Sequence, residues 1–157
     1  MNTIIYITDI QEVVNIHKKT IAVSGGGADG IINIGSLDAA LEHIQNDMYY
    51  PTFIDKLTHL FFAANKSHCF QDGNKRIAIS LGSIFLLKNG YLDAAQRFLY
   101  KMETISYHLA AGRIEKEFLR DIIDSLVYEE DFSEEIKLKL IHCISDENNN
   151  ESQQYRI

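Results

Sequence analysis

Proline is almost absent: the only one in 157 residues is Pro51. Strand-rich sandwiches use many turn prolines and glycines, so a helical chain is favoured. Cysteine is equally scarce. Cys69 and Cys143 are too few and too far apart for a zinc site or a disulfide framework. No apolar run approaches the ~20 residues that span a membrane. Asp9 and Glu12 interrupt any apolar run of the signal-peptide kind, so a cytoplasmic location without membrane association is the expectation. An excess of positive charge is missing too, with 15 Lys and Arg against 22 Asp and Glu and a net charge of −7. Phosphate contacts along a nucleic acid need a basic surface, so direct nucleic-acid binding is not expected.

What is present is enough apolar residue, 46%, for a packed core. Charge is unevenly spread. Residues 115–135 and 145–151 are acidic, while the stretch from Lys66 to Arg76 is locally basic. Thr8 reads as an N-cap for a helix carrying Ile10, Val13, Val14, His17 and Ile21. A glycine-rich run from Ser24 to Gly30 then frames Ile31 to Gly35, which reads as a loop or small hairpin, too short to seed a sheet. Ser36 reads as the cap of a second helix with Leu37, Ala40, Leu41 and Ile44. Thr52 and Asp55 form a capping-box pattern, with aspartate in place of the usual Glu or Gln, before a helix that ends near Ser67.

Residues 68–74 form a polar loop. The next helix, with Ile77, Ala78, Leu81, Ile84, Phe85 and Leu86, is apolar round much of its circumference, so it is the expected central buried helix, closed by Asn89-Gly90. Two or three further helices fill 93–128. Ser133 caps another with Ile136, Leu140, Ile141 and Ile144, and the polar tail from Ser145 is expected to be disordered. The tyrosines at 49, 50 and 91 are expected in the core or at a pocket rim. His17 is expected to pack beside the first helix. No internal repeat is present.

Chemistry converges on His68-Cys69-Phe70-Gln71-Asp72-Gly73-Asn74-Lys75-Arg76. This segment ends where a long helix begins, and a helix N-terminus offers N–H groups and positive potential to an anion. Lys75 and Arg76 place two cations in the first turn, which opposes the helix dipole and makes sense if an anion lies between them. Gly73 lets backbone approach a ligand closely, and Asn74 can orient phosphate oxygens. Asp72 is a hard oxygen ligand suited to Mg²⁺ beside a triphosphate. A histidine's ordinary pKa lies near neutrality, so His68 suits a general base that takes a hydroxyl proton. Phe70 is the loop's large apolar residue and the expected anchor in the core. Taken singly, a histidine before a helix is usually a surface or capping residue, and Gly-Asn-Lys-Arg is usually a solvated turn. Their combination at one helix start is what points to a site.

That segment resembles the Fic/Doc (Fido) family, whose pattern is His-x-Phe-x-(Asp/Glu)-(Gly/Ala)-Asn-(Gly/Lys)-Arg; every specified position matches. The run from Ser24 to Leu41 is similar to the family's flap and following helix, and Tyr50-Pro51-Thr52 and Asn89-Gly90 are similar as well. The resemblance implies an all-α Fido-fold helical bundle with a small β-hairpin flap, with residues 1–127 as the Fic/Doc domain and 128–157 as a C-terminal helical extension and polar tail. It implies ATP and Mg²⁺ as cofactors, and His68, Asp72, Lys75 and Arg76 as catalytic residues, with Asp72 on the metal. Gly73, Asn74, Lys75 and Arg76 would bind the nucleotide. The flap near residues 25–35 would hold a protein target in extended form.

Within the family, lysine at 75 and the lack of a second arginine at Ile79 resemble Doc-type toxins. That implies phosphate transfer to a Ser or Thr hydroxyl of a protein target, a translation factor such as elongation factor Tu being one candidate, and a separate antitoxin. Gly73, where Doc-type alanine is expected, keeps AMP transfer as an alternative, beside a non-catalytic nucleotide-binding module. The nearest match to the family's internal inhibitory motif starts at Ser125, but Glu130 stands where Gly or Asn is required. Cys69 occupies a position that is often proline in the family, and a tolerated substitution is expected there.

Overall fold

The computed structural model of the chain describes residues 3–23, 34–66 and 73–154. Among them are seven helices and no strand: α1 (Ile10–Val23), α2 (Ile34–His43), α3 (Phe53–Lys66), α4 (Asn74–Lys88), α5 (Leu92–Ala110), α6 (Lys116–Tyr128) and α7 (Glu134–Gln154). The all-helical reading stands. Most of the expected hairpin flap, residues 24–33, lies outside the described residues, and its last two residues, Ile34 and Gly35, are helical instead. Helix α2 therefore begins before Ser36.

Helix starts follow from local chemistry. At α1 the cap is Asp9 and not Thr8: the Asp9 carboxylate accepts the Gln11 amide at 2.9 Å. Aspartate is the stronger N-cap of the two, because its ionised oxygen meets the positive end of the helix. At α3 the capping box is present. The Asp55 amide donates to Thr52 Oγ1 at 3.1 Å, and the Thr52 amide donates to Asp55 Oδ2 at 3.2 Å. The other Asp55 oxygen lies 2.6 Å from Arg120 Nε, which ties α3 to α6. Burial pushes the Asp55 carboxyl up, but the hydrogen bonds from Arg120 and Thr52 outweigh it and hold it below the usual carboxylate range. Ser133 Oγ accepts the Ile136 amide at 3.3 Å and starts α7.

Helix α4 is the centre of the bundle. It packs against α1, α3 and α5, with α2 on α3, and α6 against α3 and α5. Ile77, Ala78, Leu81, Phe85 and Leu86 are fully buried along it. Gly82 faces α5, where an added Cβ would overlap the Phe98 ring. Asn89 closes the helix and does a second job. Its amide oxygen accepts the Ile5 amide at 2.8 Å and its Nδ2 donates to the Ile5 carbonyl at 2.9 Å, so the segment before α1 is laid against the end of α4. His17 is buried, as expected for a packing residue. Tyr50 and Tyr91 are half-buried, stacked on His59 and Phe53, but Tyr49 is 74% exposed.

The far end departs from expectation. Helix α7 runs on to Gln154, past Ser145, where a disordered tail was expected. The sequence there holds Glu and Gln, which favour helices, and neither proline nor glycine to stop one. No helix among the described residues is long and apolar enough to cross a membrane.

Candidate active site

The described part of the site is the N-terminus of α4. Gly73 is its N-cap, with φ 80° and ψ 14° in the left-handed region where a side chain is strained, and it offers no capping side chain. The Gly73 carbonyl accepts the Ile77 amide at 2.9 Å and so begins the helix. Gly73, Asn74, Lys75 and Arg76 line one recess of about 230 Å³, together with Ile79 of α4 and Glu103, Ser106 and Tyr107 of α5. Lys75 is exposed and Arg76 half-buried. Neither makes an ion pair with a described residue.

Two cations thus stand in the first turn of a helix whose dipole already makes that end positive. The arrangement is unfavourable alone and complementary to an anion of several charges, such as a polyphosphate. Ile79 closes the recess with an apolar wall. A larger recess of about 540 Å³ lies between α1 and α4, but its walls hold none of the motif residues.

The first turn of α4 is held from behind by buried polar groups. Ser106 Oγ donates to the Lys75 carbonyl at 3.1 Å. Asn65, in the last turn of α3, donates from Nδ2 to Ser106 Oγ at 2.7 Å and to the Ser106 carbonyl at 3.0 Å. Asn65 and Ser106 are both essentially inaccessible to water. Asn65 Oδ1 is buried without a hydrogen-bond partner, but the donated bonds of Asn65 and Ser106 still tie the backbone of Lys75 to α3 and α5.

Of the site residues expected from sequence, the structure brings Gly73, Asn74, Lys75 and Arg76 together. His68, Phe70 and Asp72, with Cys69 and Gln71, lie outside the described residues. Among those described, no cluster of acids, histidines and cysteines could hold a metal ion. Sequence reasoning missed Asn65, Glu103, Ser106 and Tyr107. A signal existed for two of them: Asn65 follows Phe61 by four residues on the core face of α3, and Ser106 follows Met102 by four on that of α5, both polar where an apolar residue is expected.

A protein-family model, described as Fic/DOC family, matches residues 6–86, just over half of the chain. The chain belongs to the Fic/DOC family. No curated protein matches it. The matched Fic/DOC segment takes in α1 to α3 and nearly all of α4, so it contains the whole motif, while Glu103, Ser106 and Tyr107 lie beyond it on α5. Fic/DOC proteins generally transfer nucleotide-derived groups to proteins and generally bind ATP with Mg²⁺. The cationic first turn of α4 fits the phosphates of such a nucleotide.

Proposed function

We propose that this Fic/DOC protein transfers the γ-phosphate of ATP to a Ser or Thr hydroxyl of a protein target, in the manner of Doc toxins. The observation that carries the reading is the composition of the α4 recess. Lys75 lies where a glycine-type anion hole would have only backbone, and Ile79 forms a wall where a second arginine would be needed for the AMP-transferring pose. An ammonium in the anion hole competes with the usual placement of the α- and β-phosphates and favours a reversed nucleotide, with the γ-phosphate toward the attacking hydroxyl.

In this reading His68 takes the proton from the target hydroxyl as its oxygen attacks phosphorus. Lys75, Arg76 and the backbone amides at the start of α4 hold the phosphates and stabilise their developing charge. Asp72 would hold Mg²⁺, which neutralises phosphate charge. The domain is residues 1–127, with 128–157 as an extension. A translation factor is the target class, and inhibition comes from a separate antitoxin. Gly73, rather than alanine, supports AMP transfer as the second reading.

The test uses cell lysate and ATP labelled at either the α- or the γ-phosphate, with mass spectrometry of the modified target. The wild type is expected to transfer γ-label. His68→Ala is expected to lose ~10²–10⁴-fold in rate while remaining folded, and Lys75→Gly to lose phosphorylation. AMP on the target of the unmutated protein would overturn the Doc-like assignment and leave the family and His68 in place. Nucleotide binding without transfer of either label would leave a binding module.

A further inference from the structure

Away from the α4 recess, α3 and α6 share a second cluster. Lys116 is the first residue of α6. Its Nζ lies 2.8 Å from His59 Nδ1, 5.1 Å from the centre of the Phe62 ring and 5.8 Å from that of Tyr50. Tyr50 in turn stacks on His59, with ring centres 4.6 Å apart. An ammonium only donates, so His59 Nδ1 accepts and the imidazole proton sits on Nε2. The amine therefore rests in an aromatic niche with a neutral ring as its polar partner. No described carboxylate lies within ion-pair distance of it.

The charged groups nearby are accounted for. Arg120 and Asp55, which pair with each other, line the same recess of about 250 Å³, as does Glu117; His43 of α2 adds positive charge toward His59. Burial lowers the Lys116 amine from its ordinary range. Its place in the first turn of α6 acts in the same direction, because the helix dipole disfavours a cation there. Most surface lysines are held as ammonium by water and carboxylates; this one is half-buried and has no described carboxylate within ion-pair distance.

We propose that Lys116 is an acylation site, at which the amine reacts with small acyl phosphates entering the recess between α3 and α6. At mildly alkaline pH the ammonium first gives one proton to water, and the lone pair of the resulting amine attacks the carbonyl carbon. The carbon–oxygen bond to phosphate breaks, and inorganic phosphate leaves with the electron pair. The nitrogen's second proton, lost as the amide forms, is handed through the neighbouring His59 Nδ1 to water, which is its final acceptor. Arg120, one turn along the same helix, keeps Asp55 occupied and so leaves the amine without a carboxylate partner as the phosphate departs. The product is a neutral amide in an aromatic niche that suits it, with one positive charge removed from this face. The site stands independently of the transferase reading.

The full chain is incubated with acetyl phosphate at mildly alkaline pH, and acetylation of each lysine is followed by peptide mass spectrometry. Lys116 is expected to acetylate several-fold faster than the exposed Lys18 of α1. His59→Phe keeps a ring against Tyr50 but removes Nδ1, and is expected to bring Lys116 down to the rate of Lys18. Circular dichroism checks that the variant is folded; if it is not, the wild-type comparison alone decides. Equal rates at Lys116 and Lys18 in the wild type overturn the proposal. Selectivity that survives in folded His59→Phe overturns it too, because the imidazole then has no part in it.

Discussion

His59 shows how one residue's surroundings set a property of the whole chain. Burial, then the positive charges of Lys116 and His43, push its imidazole down to about 4. Between that value and the ordinary 6.5 the unfolded chain binds the proton and the folded one does not. Stability therefore rises with pH across this window. The contribution is complete above the unfolded value and is lost as pH falls through the folded one. Half-exposure screens it, so about 1–2 kcal/mol is the expected size. Urea unfolding at about pH 7 and about pH 4.5 measures it: the wild type should lose about 1–2 kcal/mol more on acidification than His59→Phe. Equal losses would mean that His59 protonates as easily in the folded protein as in the unfolded one.

At the scale of the element, the start of α4 explains what was legible in the sequence. The cationic turn is a local pattern: Gly73, Asn74, Lys75 and Arg76 are contiguous, and a helix N-terminus gives them a common meaning. The capping box at Thr52 and Asp55 is local in the same way, and it was read from four residues. Asp9 in place of Thr8 is a one-residue error between two adjacent caps. The relay behind α4 was not legible. Asn65 and Ser106 meet from 41 positions apart, and Ser106 reaches Lys75 across 31. Only the packing of α3, α4 and α5 brings them together, and periodicity marks them as no more than polar exceptions on apolar faces. Ser106→Ala tests the relay. It removes the donor to the Lys75 carbonyl and leaves Asn65 with one partner fewer, so a loss of about 1–2 kcal/mol in urea unfolding is expected. Weaker ATP binding by calorimetry is expected with it, because the Lys75 backbone is no longer fixed. Unchanged stability and affinity would show that the hydroxyl does not hold the turn.

At the scale of the molecule, the question is how far the bundle depends on its last helix. The α6 C-terminus is closed from inside the bundle. Arg97 of α5 donates from Nε to the Leu126 carbonyl at 2.9 Å and from Nη2 to the Val127 carbonyl at 3.0 Å. Those carbonyls are therefore satisfied before α7 begins. The segment after Val127 adds a buried Ile136 and half-buried Leu140 from α7, half-buried Phe132 from the turn before it, and a largely exposed ion pair between Lys101 and Asp131. Exposed pairs contribute little, so its value lies in the apolar contacts. Truncation after Val127 uncovers them and is expected to cost about 2–4 kcal/mol, roughly one fully buried aliphatic side chain and parts of two more. The truncated protein should still unfold cooperatively, because α1 to α6 keep a core that does not pass through α7. None of the described residues lining the α4 recess lies beyond Tyr107, so the γ-label transfer proposed above should persist per folded molecule. A lower urea midpoint with transfer retained is the expected pair of results. Transfer lost from a truncated protein that remains folded would make residues 128–157 part of the working site rather than a brace on the bundle.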